Sequence, residues 1–119
     1  MLYLCEMLES RLQAECFQWA YNSFPIIRGF IFHVPNGGTR DVREAMTMRA
    51  MGLTKGIPDI LLVYPVLTAF EFKSETGRLS DAQTVIHKKW TERGIPVHVV
   101  KSIEQFRAIL TAILLPEPS

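Results

Sequence analysis

The spacing of apolar and polar positions divides the chain into eight elements. From Leu4 to Phe24 apolar residues recur at helical intervals, and at roughly 100° per residue Leu4, Leu8, Leu12 and Trp19 fall within about 60° of Glu15, with Glu6 and Gln13 opposite. Gly29 to Val34 reads as a strand, Phe30-Ile31-Phe32-His33-Val34, ending at the turn-rich Pro35-Asn36-Gly37-Gly38. Thr39 or Asp41 is placed to cap a helix that runs to Met51 and closes at Gly52. Two apolar runs then follow closely, Ile60-Leu61-Leu62-Val63-Tyr64 and Thr68-Ala69-Phe70-Glu71-Phe72, and Pro65 between them suits a hairpin turn because it fixes φ and removes a ladder donor. Leu79 to Arg93 has helical periodicity, with Ser80 and Gln83 at the spacing of a capping box and Gly94 at its end. Val97-His98-Val99-Val100 is a further strand, and Ser102 with Gln105 opens a last helix through Leu115 by a second capping box before Pro116 and Pro118 stop it. The order predicts an α/β fold, a small mixed β-sheet flanked by helices, with a strand–helix–strand crossover after the hairpin.

The hairpin carries the first chemical signal. A turn centred near Pro65 and Val66 places Asp59 roughly opposite Phe72, with Glu71 beside it, and facing residues in a ladder lie only about 5 Å apart. Alternation puts Ala69, Glu71 and Lys73 on one face and Phe70 and Phe72 on the other. Two carboxylates at the open end of an apolar hairpin repel unless one is protonated or a cation joins them, and a hard divalent cation is the economical solution. Glu15 adds a third acid, set in the apolar stripe of the first helix, where a buried carboxylate needs either an Arg or a cation. Gln83 shares a helix face with Leu79, Ile86 and Trp90, which turns it inward; the capping box is its competing structural role.

These residues resemble a known pattern. Asp59, then Glu71 and Lys73, with Pro58 in front of the Asp, resemble the signature of the PD-(D/E)XK nuclease superfamily. The longer string Gly56-Ile57-Pro58-Asp59, Glu71-Phe72-Lys73, Gly77-Arg78-Leu79-Ser80, Gln83, Gly94-Ile95-Pro96-Val97 and Ser102 is similar to the VRR-NUC (virus-type replication-repair nuclease) family, over about Glu15 to Leu110. The resemblance implies a restriction-endonuclease-like fold and a Mg²⁺- or Mn²⁺-dependent nuclease. On that analogy Glu15, Asp59, Glu71 and the Phe72 carbonyl hold the metal, and Asp59, Glu71, Lys73 and Gln83 are catalytic. His33, at the strand end, resembles the family's His-x-Pro-Asn element; a lone His is more often a satisfied core or loop residue than a catalytic one.

Composition narrows the class. The 119 residues predict one domain, 1–119, and 48% hydrophobic with 21% charged residues is ordinary for a soluble globular protein. No apolar run reaches the roughly 18 residues of a membrane span, and Glu6 and Glu9 oppose a signal peptide. Cys5 and Cys16, about 16 Å apart along one helix, are expected as reduced packing residues, which favours the cytoplasm. The net charge of +1 conceals an uneven distribution, with Arg28, Arg40, Arg43, Arg49 and Lys55 against only Asp41 and Glu44 between Arg28 and Lys55. A second basic group, Arg78, Lys88, Lys89 and Arg93, accompanies the third helix. His33, Asn36, Arg40, Arg43, Lys55 and Arg78 are therefore the candidate DNA contacts, to phosphate rather than to base edges.

The expected activity is structure-specific cleavage of branched DNA, first of all a four-way (Holliday) junction, by a homodimer whose two-fold symmetry matches the junction. A nuclease acting on flaps, nicks or ends is the enzymatic alternative. A non-catalytic DNA-binding or interaction module on the same fold is the other.

Overall fold

The computed structural model describes residues 2–35 and 41–116. The elements run α1 (Leu2–Ser23), a 3-10 turn (Pro25–Ile27), β1 (Ile31–His33), α2 (Val42–Ala50), β2 (Ile60–Leu62), β3 (Thr68–Phe72), α3 (Asp81–Glu92), β4 (Val97–Val100) and α4 (Ile103–Leu114). The four strands form one mixed sheet in the order β1-β2-β3-β4, antiparallel except for β3 with β4. The α/β architecture with a small mixed sheet and a crossover helix is thus present, in the expected order of elements.

β3 organises the packing. All five of its residues are buried, and their alternation sends Phe70 and Phe72 to one side, where both rings meet Phe106 of α4 at 5.0 and 5.8 Å, and Trp19 of α1 meets Phe106 at 6.2 Å. Burying each such ring contributes about 1.5–3 kcal/mol. Glu71 leaves on the other side, toward His87 of α3. One face of the sheet is therefore the apolar core with α1 and α4, and the other carries a charged group beneath α3.

Three local features differ from the sequence reading. The ladder pairs Ile60 with Phe70, so extending it by one residue brings Asp59 level with Glu71, not Phe72; the connection is the five-residue stretch 63–67, and its centre falls on Pro65 alone. The buried face of α1 is centred on Cys16 and Ala20, while Tyr3, Leu4, Met7 and Leu8 are exposed, so the apolar N-terminal half of this helix does not mark the core. At α4, the Ser102 hydroxyl accepts the Gln105 N–H, but the Gln105 side chain accepts from Lys101 N–H, one residue before the cap, so the second box is not reciprocal.

Caps and glycines fix the connections. Asp41, not Thr39, caps α2, accepting from the Arg43 and Glu44 N–H groups; Thr39 lies outside the described residues. Gly56 has φ +89°, and a Cβ there would lie 2.3 Å from the Ala82 carbonyl oxygen, so only glycine lets the segment before Asp59 press on the first turn of α3. Cys5 and Cys16 are both free thiols, and burial pushes that of Cys16 up to about 12. Among the described residues no helix is long and apolar enough to cross a membrane.

Candidate active site

Asp59, Glu71, Phe72, Lys73 and Gln83 line one recess of about 320 Å³, together with Glu6, Glu9, Ser10 and Gln13 of α1. Sequence positions from four separate elements therefore converge. Asp59 sits just before β2 and its Oδ2 accepts the Phe72 N–H at 2.8 Å, which holds the carboxylate across the mouth of the hairpin. Val34 N–H donates to the Asp59 carbonyl at 2.9 Å, and His33 Nδ1 lies 2.9 Å from the same oxygen and 2.7 Å from the Gln13 side-chain amide. A carbonyl only accepts, so the His33 contact steadies the backbone of Asp59.

Glu71 is the electrostatic centre. Its side chain is 1% exposed and its carboxyl is pushed up to about 9, first by burial, then by the hydrogen bond that its protonated form donates to the Asp59 carboxylate and by the Asp59 charge, with Lys73 opposing and Glu9 adding to the rise. Without a cation the two carboxylates are thus compatible only when they share a proton. Lys73, 9% exposed, follows directly on β3, anchored by its N–H to the Val100 carbonyl at 3.0 Å.

Gln83 occupies the capping box and the recess together. Its Oε1 accepts the Ser80 N–H at 2.8 Å and Ser80 Oγ accepts the Gln83 N–H at 3.1 Å, while the side chain still lines the carboxylate recess. Capping and a place in the recess, which the sequence reading takes as exclusive, are thus combined in one side chain.

Glu15 is not in the recess. It is exposed, one position and so roughly 100° of helix from the buried Cys16, and the α1 acids that face Asp59 and Glu71 are Glu6 and Glu9. Glu9 lies on the same stripe as Leu12, Gln13 and Cys16, and its Oε2 accepts the Ser74 N–H at 3.3 Å. The signal for it was present as a helical interval, but the exposed Leu4 and Leu8 shifted the apparent phase. The other side chain that sequence reasoning missed is His87, whose Nε2 lies 3.0 Å from Glu71 Oε1. It stands one helical turn after Gln83, on the same face of α3.

Of the candidate DNA contacts, Arg43, Lys55 and Arg78 are exposed and none of the three lines the recess. Asn36 and Arg40 lie outside the described residues. His33 borders a second cleft, of about 510 Å³, between α1 and β1, walled by Phe17, Ile31 and Phe32 and sharing Ser10 and Gln13 with the first. Arg28 is engaged locally, donating to the Tyr21 carbonyl at 2.9 Å and lying 4.3 Å over the Tyr21 ring.

The donor chemistry fits a hard cation. Among the described residues no group of three or more His, Cys, Asp or Glu side chains is placed to hold a metal ion. Mg²⁺ does not require one, since it is commonly held by one or two carboxylates and keeps several waters or substrate oxygens. Two carboxylates that line one recess suit that mode of binding.

Comparison with known proteins agrees with this fold. The model of the VRR-NUC domain matches residues 3–104. A solved structure titled "VRR_NUC domain protein" superimposes with a TM-score of 0.72 at 19% identity, covering 92% of this chain and 90% of its own. Comparison with curated proteins gives no match.

Proposed function

The chain belongs to the VRR-NUC family, a nuclease-type domain, and we propose that it hydrolyses phosphodiester bonds in branched DNA with Mg²⁺ or Mn²⁺ held at Asp59 and Glu71. The observation that carries this reading is the convergence of the buried Glu71 with Asp59, Lys73 and Gln83 in one recess, a charge arrangement that a divalent cation and a phosphate would complete. A cation so bound supplies Lewis acidity toward the phosphate and a lowered pKa for water. Asp59, locked by the Phe72 N–H, and Glu71 supply the anionic oxygens, with the Phe72 carbonyl as a further donor. The acid that the family resemblance assigns to the first helix falls to Glu9, and Glu15 has no part in the site. Lys73 offsets charge that grows on the phosphate or orients the attacking water, and Gln83 assists from the start of α3.

Branched DNA, and a four-way junction first, follows from a dimeric reading. Tyr3 (75% exposed), Leu4, Met7 and Leu8 form an apolar stripe on the N-terminal half of α1, beside Glu6 and Glu9 of the recess, and a second copy covering it would set two sites about a two-fold axis.

The test is cleavage of labelled four-way junction, flap, duplex and single strand with Mg²⁺, Mn²⁺ or EDTA, beside Lys73→Ala and Glu71→Ala. Paired symmetric nicks in the junction, lost with EDTA and in both variants, are expected. Cleavage of flaps or ends alone replaces the junction by that substrate, and no cleavage by a folded protein that still binds DNA overturns the enzymatic reading.

A further inference from the structure

The α3 face that covers Glu71 carries one polar side chain that the proposed hydrolysis leaves without a task. His87 is the single buried residue assigned to α3, its side chain 11% exposed, and its Nε2 stands 3.0 Å from Glu71 Oε1. That contact places the imidazole beside the carboxylates of the recess. Glu71 itself lies in register with Val99 of β4, directly in the pair of strands that α3 connects.

We propose that His87 is a positioning residue that holds Oε1 of Glu71 and so would favour binding of a cation through one carboxylate oxygen over a two-oxygen grip, making this site selective for Mg²⁺ or Mn²⁺ over Ca²⁺. The inference rests on the metal-dependent reading above. A carboxylate bound to a cation can only accept hydrogen bonds, so in that state His87 donates from Nε2. With one lone pair of Oε1 and the plane of the carboxylate held by this bond, a two-oxygen grip on a cation is disfavoured. Mg²⁺ accepts that readily, since its octahedral shell takes single oxygens at short distance, whereas Ca²⁺ fills a larger and more flexible shell and gains from two-oxygen carboxylates. The same contact also keeps Glu71 from rotating away from Asp59, as partners behind metal-bound carboxylates commonly do.

A purely structural ion pair would share the same contact, and the two readings part on selectivity. The experiment is titration calorimetry of Mg²⁺, Mn²⁺ and Ca²⁺ into the wild-type protein and into His87→Leu, His87→Gln and His87→Asn, each first shown folded by thermal melting. Leu removes the donor. Gln places an amide N–H near the Nε2 position, and Asn stays polar but is one methylene short. We expect His87→Leu and His87→Asn to weaken Mg²⁺ and Mn²⁺ by about 10–100-fold and Ca²⁺ by clearly less, so that the Mg²⁺/Ca²⁺ affinity ratio falls about tenfold or more. His87→Gln restores the ratio to within about threefold of wild type. An unchanged ratio in the donor-less variants, with wild type binding Mg²⁺, overturns the role of His87 alone. Should Leu fail to fold, the contrast between Gln and Asn decides in the same way. A wild-type protein that takes up none of the three cations overturns the metal-dependent reading and this inference with it.

Discussion

Asp59 is held by the strand it faces: its Oδ2 accepts the Phe72 N–H at 2.8 Å. The bond closes the mouth of the hairpin just where the ladder between Ile60–Leu62 and Thr68–Phe72 runs out, and it fixes one carboxylate beside the other. Asp59 is therefore both a structural acceptor and a charge.

The two roles separate by substitution. Asp59→Asn keeps a side-chain oxygen for the Phe72 N–H and loses the charge, whereas Asp59→Ala orphans a part-buried donor, a cost of about 1–3 kcal/mol. Both variants are expected to lose metal-dependent cleavage. In EDTA the Ala variant should melt several degrees below the Asn variant. Equal melting temperatures would remove the structural role.

Glu71 gives the protein a pH signature. Its carboxyl lies at about 9 against an ordinary value of 4.5, raised first by burial, so between these values the folded, cation-free protein holds a proton that the unfolded chain has released. Stability from this group is full below about pH 4.5 and declines as pH rises toward 9. Glu71→Gln should flatten that part of the stability–pH profile in EDTA, measured by denaturant titration. Binding of Mg²⁺ or Mn²⁺ at pH 7 should expel close to one proton, seen as a calorimetric enthalpy that depends on the buffer; a buffer-independent enthalpy would mean that Glu71 is already ionised.

Glu9 and Glu15 make a matched pair of controls on one helix. Glu9 lines the recess and contributes to the rise at Glu71, while Glu15 is exposed outside it. Glu9→Gln should raise the Mg²⁺ concentration for half-maximal cleavage by about tenfold, the scale of a lost supporting carboxylate. Glu15→Gln should leave it within about twofold. The reverse order would restore Glu15 to the site.

Much of this arrangement was legible in the sequence because β-alternation leaves little freedom. Once Thr68–Phe72 is a buried strand, Glu71 and Lys73 must leave the face that Phe70 and Phe72 occupy. Register was less secure, since the length of the connection between the strands decides it, and the five-residue stretch 63–67 shifts Asp59 by one partner relative to a turn centred between Pro65 and Val66. Helix phase failed in α1 for a different reason. Tyr3, Leu4, Met7 and Leu8 are apolar yet exposed, so an amphipathic reading weighted by them rotates the buried face away from Glu9, Cys16 and Ala20. His87 was hidden because its partner lies 16 residues away on another element, and nothing in a polar helix marks one His as buried.

Gly56 offers a test of how the connections hold the site together. Its φ of +89° is unfavourable for any residue with a Cβ, and an added Cβ would meet the Ala82 carbonyl oxygen at 2.3 Å and the Gln83 N at 3.0 Å, all backbone of the first turn of α3. Backbone cannot swing aside as a side chain can, so Gly56→Ala must either displace the segment that leads into Asp59 or push α3 outward. The expected cost is above about 2 kcal/mol, combining overpacking with backbone strain. Ser80→Ala, which loses only the cap at the same helix end, should cost about 1 kcal/mol. Because Asp59 and Gln83 both sit on the disturbed backbone, Gly56→Ala should also lose cleavage under conditions where it is still folded, while Ser80→Ala should retain most of it. Denaturant melts and junction cleavage on the two variants give both comparisons. A Gly56→Ala protein as stable as Ser80→Ala would show that the contact between this segment and α3 is looser than the 2.3 Å approach requires.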